Sequence, residues 1–196
     1  IQIDGATIVN SGGTPSNTDI YLGYQGDVTF NDTLSATNAI TAGTSECHFA
    51  NGSTSNVIIN GNVSTLNNGS GTIERHYIGD DGLVTINGTL DAENNGSSTT
   101  ADIFIADATS SVVSITGIVD ADNNASGTNA RLFFGNNGDV TFGSQIEISN
   151  NSGAGNSEVS LNRNSNSANT YNGPIVVENT NATADGVTFG INGGSG

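Results

Sequence analysis

The chain has 196 residues, with 27 glycines, two prolines and no methionine, tryptophan or lysine; its three basic residues are Arg75, Arg131 and Arg163. Against them stand 19 acidic residues, for a formal charge of −16. Three arginines are too few to neutralise a row of phosphates, which argues against nucleic acid or an anionic membrane as partner, and no run is apolar for long enough to span a bilayer. Cys47 stands alone, so an internal disulfide is excluded and burial and hydrogen bonding must hold the fold. The chain opens inside a patterned segment, Ile1-Gln2-Ile3-Asp4-Gly5, without signal peptide or initiating Met, as expected of a piece of something longer.

In chain order that opening segment returns as Val28-Thr29-Phe30-Asn31-Asp32, Val57-Ile58-Ile59-Asn60-Gly61, Val84-Thr85-Ile86-Asn87-Gly88, Val113-Ser114-Ile115-Thr116-Gly117 and Val140-Thr141-Phe142-Gly143-Ser144. With the first residue of each as position 1, coils run 1–27, 28–56, 57–83, 84–112, 113–139 and 140–168, alternating between 27 and 29 residues. The difference falls in the closing turn. Short coils close with four residues, glycine third (Gly26, Gly82, Gly138), and long coils with six (51–56, 107–112, 163–168). Repetition at a fixed period is the mark of a solenoid.

The alternation of apolar and polar residues predicts three short strands per coil, at positions 1–3, 6–9 and 20–22, with a Gly/Ser/Thr/Asn loop between the last two. The expected fold is all-β, a parallel β-helix of about seven coils and about 34 Å in length, since parallel strands stack about 4.8 Å apart. Positions 1, 3, 7, 9, 20 and 22 supply the inward columns. Residues 1–168 form six regular coils. Residues 169–196 read as an irregular terminal coil and subunit junction, with the third strand skipped and an eighth unit beginning at Val187.

Position 11 is Asn38, Asn67, Asn94, Asn123, Asn150 and Asn179. Stacked amides donate and accept along such a column. The column resembles the asparagine ladder of right-handed parallel β-helices such as the pectate lyase fold, which implies a right-handed coil. Position 4 (Asp4, Asn31, Asn60, Asn87, Thr116, Asn172) reads as a corner column without chemistry. Position 19 (Asp19, Glu46, Arg75, Asp102, Arg131, Glu158) reads as a surface charge ladder, each link worth under about 1 kcal/mol. Position 21 holds Tyr21, His48, Tyr77, Phe104 and Phe133, an outward aromatic stripe that could be packing, a lateral interface or a platform for sugar rings.

Other candidates carry less. The acidic run Asp91, Asp120 and Glu147 lacks a basic partner and singles out no catalytic pair, which reads as a solvated face. Glu74 and His76, with Cys47 in the neighbouring coil, lack the ligand spacing of a zinc site and read as a satisfied polar core pair. The turns Asp80-Asp81-Gly82 and Asn136-Asn137-Gly138-Asp139 leave calcium open as the one cofactor. Glycosylation sequons start at Asn31, Asn51, Asn62, Asn68, Asn87, Asn95, Asn124, Asn150 and Asn181, a number that chance accounts for in so Asn-rich a chain. Asp32-Thr33-Leu34 resembles the short O-glycosylation signal of Bacteroidota. The column Thr29, Thr85, Thr141 and Thr188, broken by Ile58 and Ser114, is a remote pointer to ice binding.

Taken over nearly the whole length, the Val-Thr-Ile-Asn-Gly repeats and the asparagine column resemble parallel β-helix segments of large bacterial surface proteins: adhesins, autotransporter-like passengers and extracellular fibre subunits. The resemblance implies a secreted, non-enzymatic, structural or adhesive unit at a bacterial cell surface. Its partners would be copies of itself, stacked end to end or laterally. The alternative is a carbohydrate-binding or carbohydrate-degrading β-helix that uses the aromatic stripe. Fold does not imply function, so these remain expectations.

Overall fold

A strand of a few residues cannot bury an apolar face by itself, and stacking equivalent strands from successive coils solves the problem. The computed structural model describes residues 1–14, 16–163 and 167–180, and the backbone of 187–189. It is a parallel β-solenoid of three sheets with seven strands each. The first sheet runs from Gln2–Ile3 to Thr170–Tyr171, the second from Thr7–Gly13 to Ile175–Asn179, and the third from Asn17–Leu22 to Val187–Phe189. Neighbours in each sheet come from consecutive coils. Val84 pairs with Val57 and Val113, and Asn94 with Asn67 and Asn123, so residues sharing a position number do lie over one another.

The alternation read in the sequence is the alternation of burial: Val63–Asn67 and Leu90–Asn94 each bury every second residue. The inward columns form one continuous core, in which Phe30, Phe49, Phe134 and Phe142 are the bulkiest members. A second small cluster of alanines (Ala101, Ala125, Ala130, Ala154) fills the bulge between the second and third sheets.

Two boundaries move. Third-sheet strands are six residues long, as in Ile73–Ile78 and Thr100–Ile105, so much of the expected loop is strand. Its polar residues are held by side-chain ladders of their own: Asn156 donates to Asn129 at 3.1 Å and Asn129 to Thr100 at 3.3 Å. The seventh coil also has its third strand. Val187 and Phe189 pair with Val159 and Leu161, so 187–189 is that coil's third strand and not the start of an eighth unit. One residue fewer separates Asn179 from Val187 than separates Asn150 from Val159, and that deletion hid the match. Thr188 therefore leaves the threonine column of the first sheet, and Thr170 takes its place beside Thr141.

The turn from the third sheet back to the first depends on a column the sequence reading missed. Position 23 is left-handed in all six coils: Gly23, Ala50, Gly79, Ala106, Gly135 and Asn162 have φ between 54° and 78°. Glycine occupies it in the short coils and alanine or asparagine in the long ones. The reason is space. A Cβ on Gly23 would lie 2.6 Å from Val57 Cγ2, and one on Gly79 2.5 Å from Val113 Cγ2.

Candidate functional site

The outer face of the third sheet gathers the candidate residues, because period-2 alternation turns positions 19 and 21 away from the core. At position 21 the five rings form an unbroken stack. Centroids are 4.8 Å apart for Tyr21–His48, 4.7 Å for His48–Tyr77, 5.0 Å for Tyr77–Phe104 and 5.2 Å for Phe104–Phe133. The first three pairs are within 16° of parallel.

The stripe is not open to solvent along its length, which corrects the expectation of an exposed aromatic surface. Tyr21 is 45% exposed, but His48 falls to 7% and Phe133 to 1%. Ring faces are spent on neighbouring rings, and polar rows on either side close over the edges. Arg163 lies over Phe133 with its guanidinium carbon 4.2 Å from the ring centroid, and Arg131 at 5.5 Å. A sugar needs an accessible ring, and in this stripe the most accessible is Tyr21, which has Tyr24 edge-on beside it with centroids 5.3 Å apart.

His48 is the charged member of the stack. Its Nδ1 is 2.8 Å from Asp80, its Nε2 3.7 Å from Glu46, and Asn51 also donates to Asp80. Burial opposes charge on the ring, yet the hydrogen bonds and charges of Asp80 and Glu46 outweigh it and push the imidazole up to about 9. His48 is thus an imidazolium sandwiched between two phenol rings.

The charge ladder beside the stack is real, and deeper than a surface feature. Arg75 reaches Glu46 at 3.1 Å and Asp102 at 3.4 Å, and Arg131 forks onto Asp102 at 2.6 and 2.8 Å. The Asp102 side chain has no solvent exposure. Two guanidiniums compensate that burial, so loss of either costs more than an exposed link would. Glu158 is the register partner of Arg131 on the next coil, beyond the ion pairs that join Glu46 to Arg131.

The asparagine ladder lies inside the wall, at the end of the second sheet. Asn38 donates to Asn67 at 3.1 Å, Asn67 to Asn94 at 2.8 Å, Asn94 to Asn123 at 3.4 Å, Asn123 to Asn150 at 2.9 Å and Asn150 to Asn179 at 3.4 Å. The same amides reach carbonyls across the bend, among them Asp102, Ala101 and Ala130. Ser11 heads the column in the first coil, donating to Asn38. Position 4 makes a second ladder on the surface: Asn87 donates to Asn60, Asn60 to Asn31 and Asn31 to Asp4.

The remaining candidates do not converge. His76 is buried with Nε2 at 3.3 Å from the Leu66 carbonyl, its Nδ1 unpartnered, and burial lowers it to about 4. Cys47, its register partner, is equally buried, and burial pushes its thiol up to about 12. Glu74 points inward too, accepting from the Ile40 and Gly69 amides at 3.0 and 2.8 Å. On the second sheet, Asp91 is raised to about 6 by burial and by Glu93, Asp120 and Asp122. In the turns considered for calcium, Asp81 accepts from Ser110 and Asp139 from the Ala168 amide, so both already have protein donors. Among the described residues, no group of three or more His, Cys, Asp or Glu side chains could hold a metal ion. Asn150 is fully buried in the ladder, and the sequon at Asn181 lies outside the described residues; Asn31, Asn62, Asn68, Asn87, Asn95 and Asn124 are exposed, as is Thr33.

No protein-family model, no curated protein and no solved structure matches the chain.

Proposed function

We propose that the protein is a non-catalytic structural or adhesive rod, a length of an extracellular fibre on a bacterial cell surface built by stacking coil on coil. The observation that carries this reading is the stacking itself, three sheets of seven strands in which each coil pairs with the coil before and after it along one axis. In the first described coil, the strands Gln2–Ile3, Thr7–Gly13 and Asn17–Leu22 each have a partner on one side only among the described residues. Its apolar interior surrounds a hollow of about 450 Å³ lined by Ile1, Ile3, Leu22, Tyr24, Val28 and Phe30. Unpaired strand edges of this kind are templates for further pairing. A net charge of −16 on an Asn-, Ser- and Thr-rich surface supports solubility outside a cell.

Immunogold electron microscopy of intact source cells, with antibody against the chain, tests the reading. Label along surface fibres is the expected result; label confined to the cell interior overturns it. A second reading, glycan binding, now rests on Tyr21 and Tyr24, which are 45% and 59% exposed. Glycan-array binding lost on Tyr21→Ala but kept on Phe104→Ala would favour it.

A further inference from the structure

We infer that the open face of the first coil is built to receive one kind of partner, a parallel coil of this same repeat that closes in the long, six-residue turn. The inference deepens the end-stacking reading above and rests on it only for the location of the site.

Two glycine columns carry it. At position 5, a Cβ on Gly61, Gly88, Gly117 or Gly173 would fall 2.4 to 2.5 Å from the backbone of the preceding coil's corner. At position 26, a Cβ on Gly82 would lie 2.5 Å from the Ser55 carbonyl oxygen and 2.6 Å from that of Gly52. One on Gly138 would meet Ser111 and Ala108 at the same distances. Glycine is required there because the coil before presses its backbone against the site. The first coil keeps both residues, Gly5 and Gly26, yet a Cβ on either would meet nothing within 4 Å.

The backbone gives the partner's type. In the later short coils the closing turn donates to a left-handed residue of the coil before: Asp81 and Gly82 to the Ala50 carbonyl at 3.1 and 2.9 Å, Asn137 and Gly138 to that of Ala106 at 3.2 and 3.0 Å. Both acceptors belong to long coils. In the first coil, Gln25 stands at the place of Asp81 and Asn137 and takes a φ of 58°, and Gly5 takes 93°; their equivalents in the stacked coils are not left-handed. The first coil is in a relaxed form of a turn that elsewhere is shaped by a long coil beneath it.

The test places one extra coil ahead of Ile1 on the full chain, either a duplicate of the long coil 28–56 or of the short coil 57–83, and follows amide exchange in the first coil. The long coil should slow exchange across Gln2–Leu22 by about tenfold or more, as closing an open end does in a repeat protein, and the short coil should not. Gly26→Ala should leave the melting temperature of the unextended chain unchanged, and should erase the protection in the long-coil version. Equal protection from both coils, protection from neither, or tolerance of Gly26→Ala beneath the long coil would overturn the inference. Absence of label from surface fibres, with the long coil still docking, would sink only the surface-fibre reading.

Discussion

His48 and His76 are one coil apart on the same sheet, and a shift of a single position reverses their chemistry. At position 21 the ring of His48 faces Asp80 and Glu46, with Tyr21 and Tyr77 stacked on its two faces, and is held charged at neutral pH. At position 20 the ring of His76 enters the core and is held neutral. The two therefore tilt stability in opposite directions. A raised histidine stabilises fully below its ordinary value of 6.5 and loses that contribution as pH climbs through about 9. An NMR titration of the His48 ring should find its midpoint near that value, and Asp80→Asn should bring it down toward 6.5; an unmoved midpoint would dissolve the ion pair. The lowered value of His76 works the other way, with stability present above 6.5 and withdrawn as pH falls toward 4. His76→Ile, the residue that the next coil carries as Ile103, should remove about 3 kcal/mol of the loss between pH 7 and 4, read as the difference in denaturant midpoints between variant and parent.

Among the elements, the closing turns are where the two coil lengths become a structural rule. Gly79 combines a φ of 74° with a Cβ position 2.5 Å from Val113, whereas Ala106 accepts a φ of 56° and buries its methyl in the core. Gly79→Ala should cost about 2 kcal/mol or more, since strain and overlap add, and Ala106→Gly should stay within about 1 kcal/mol because relief of strain offsets lost packing. Thermal denaturation of the pair, with Val113→Ala as partial rescue of Gly79→Ala, checks the asymmetry. This rule was half legible in the sequence. The alternation of lengths and the third-place glycines could be counted, but the left-handed position could not, because alanine and asparagine mask it in every second coil. Registers were legible through the six regular coils, since one residue of slip would have turned every inward Val, Ile and Leu outward, and were lost only past Asn179, where one residue is missing before Val187. What covers the aromatic column was not, because Arg163 reaches Phe133 from a turn and not from the strand, and pattern along one strand does not report its flanks. The six-residue strands were missed for a related reason. Asn129, Thr100 and Asn156 look like loop residues one coil at a time, and become a ladder only when stacked.

On the scale of the whole molecule, every strand pairing among the described residues is with the coil before or after, so stability is close to a sum of coil and interface terms along one axis. Such a rod should not open all at once. A central coil is held from both sides, whereas the first has one neighbour among the described residues, and its exposure shows the consequence: Ile1 is 85% exposed, while the equivalent Val84, Val113 and Val140 at position 1 are buried. The polar columns follow the same gradient. Asn94 bonds Asn123 and two carbonyls and accepts from Asn67, whereas Ser11 only begins its ladder. Native-state hydrogen exchange should therefore grade along the axis. Amides of Thr7–Gly13 and Asn17–Leu22 should exchange through local opening at least about a hundredfold faster than those of Leu90–Asn94 and Thr100–Ile105, whose release needs the coils on one side to unstack first. Breaking a central link with Asn94→Ala should raise exchange in the coils around it and leave the first coil unaffected. Uniform protection from end to end would mean that the ladders couple all coils into a single cooperative unit, and the nearest-neighbour account of the rod would have to be abandoned.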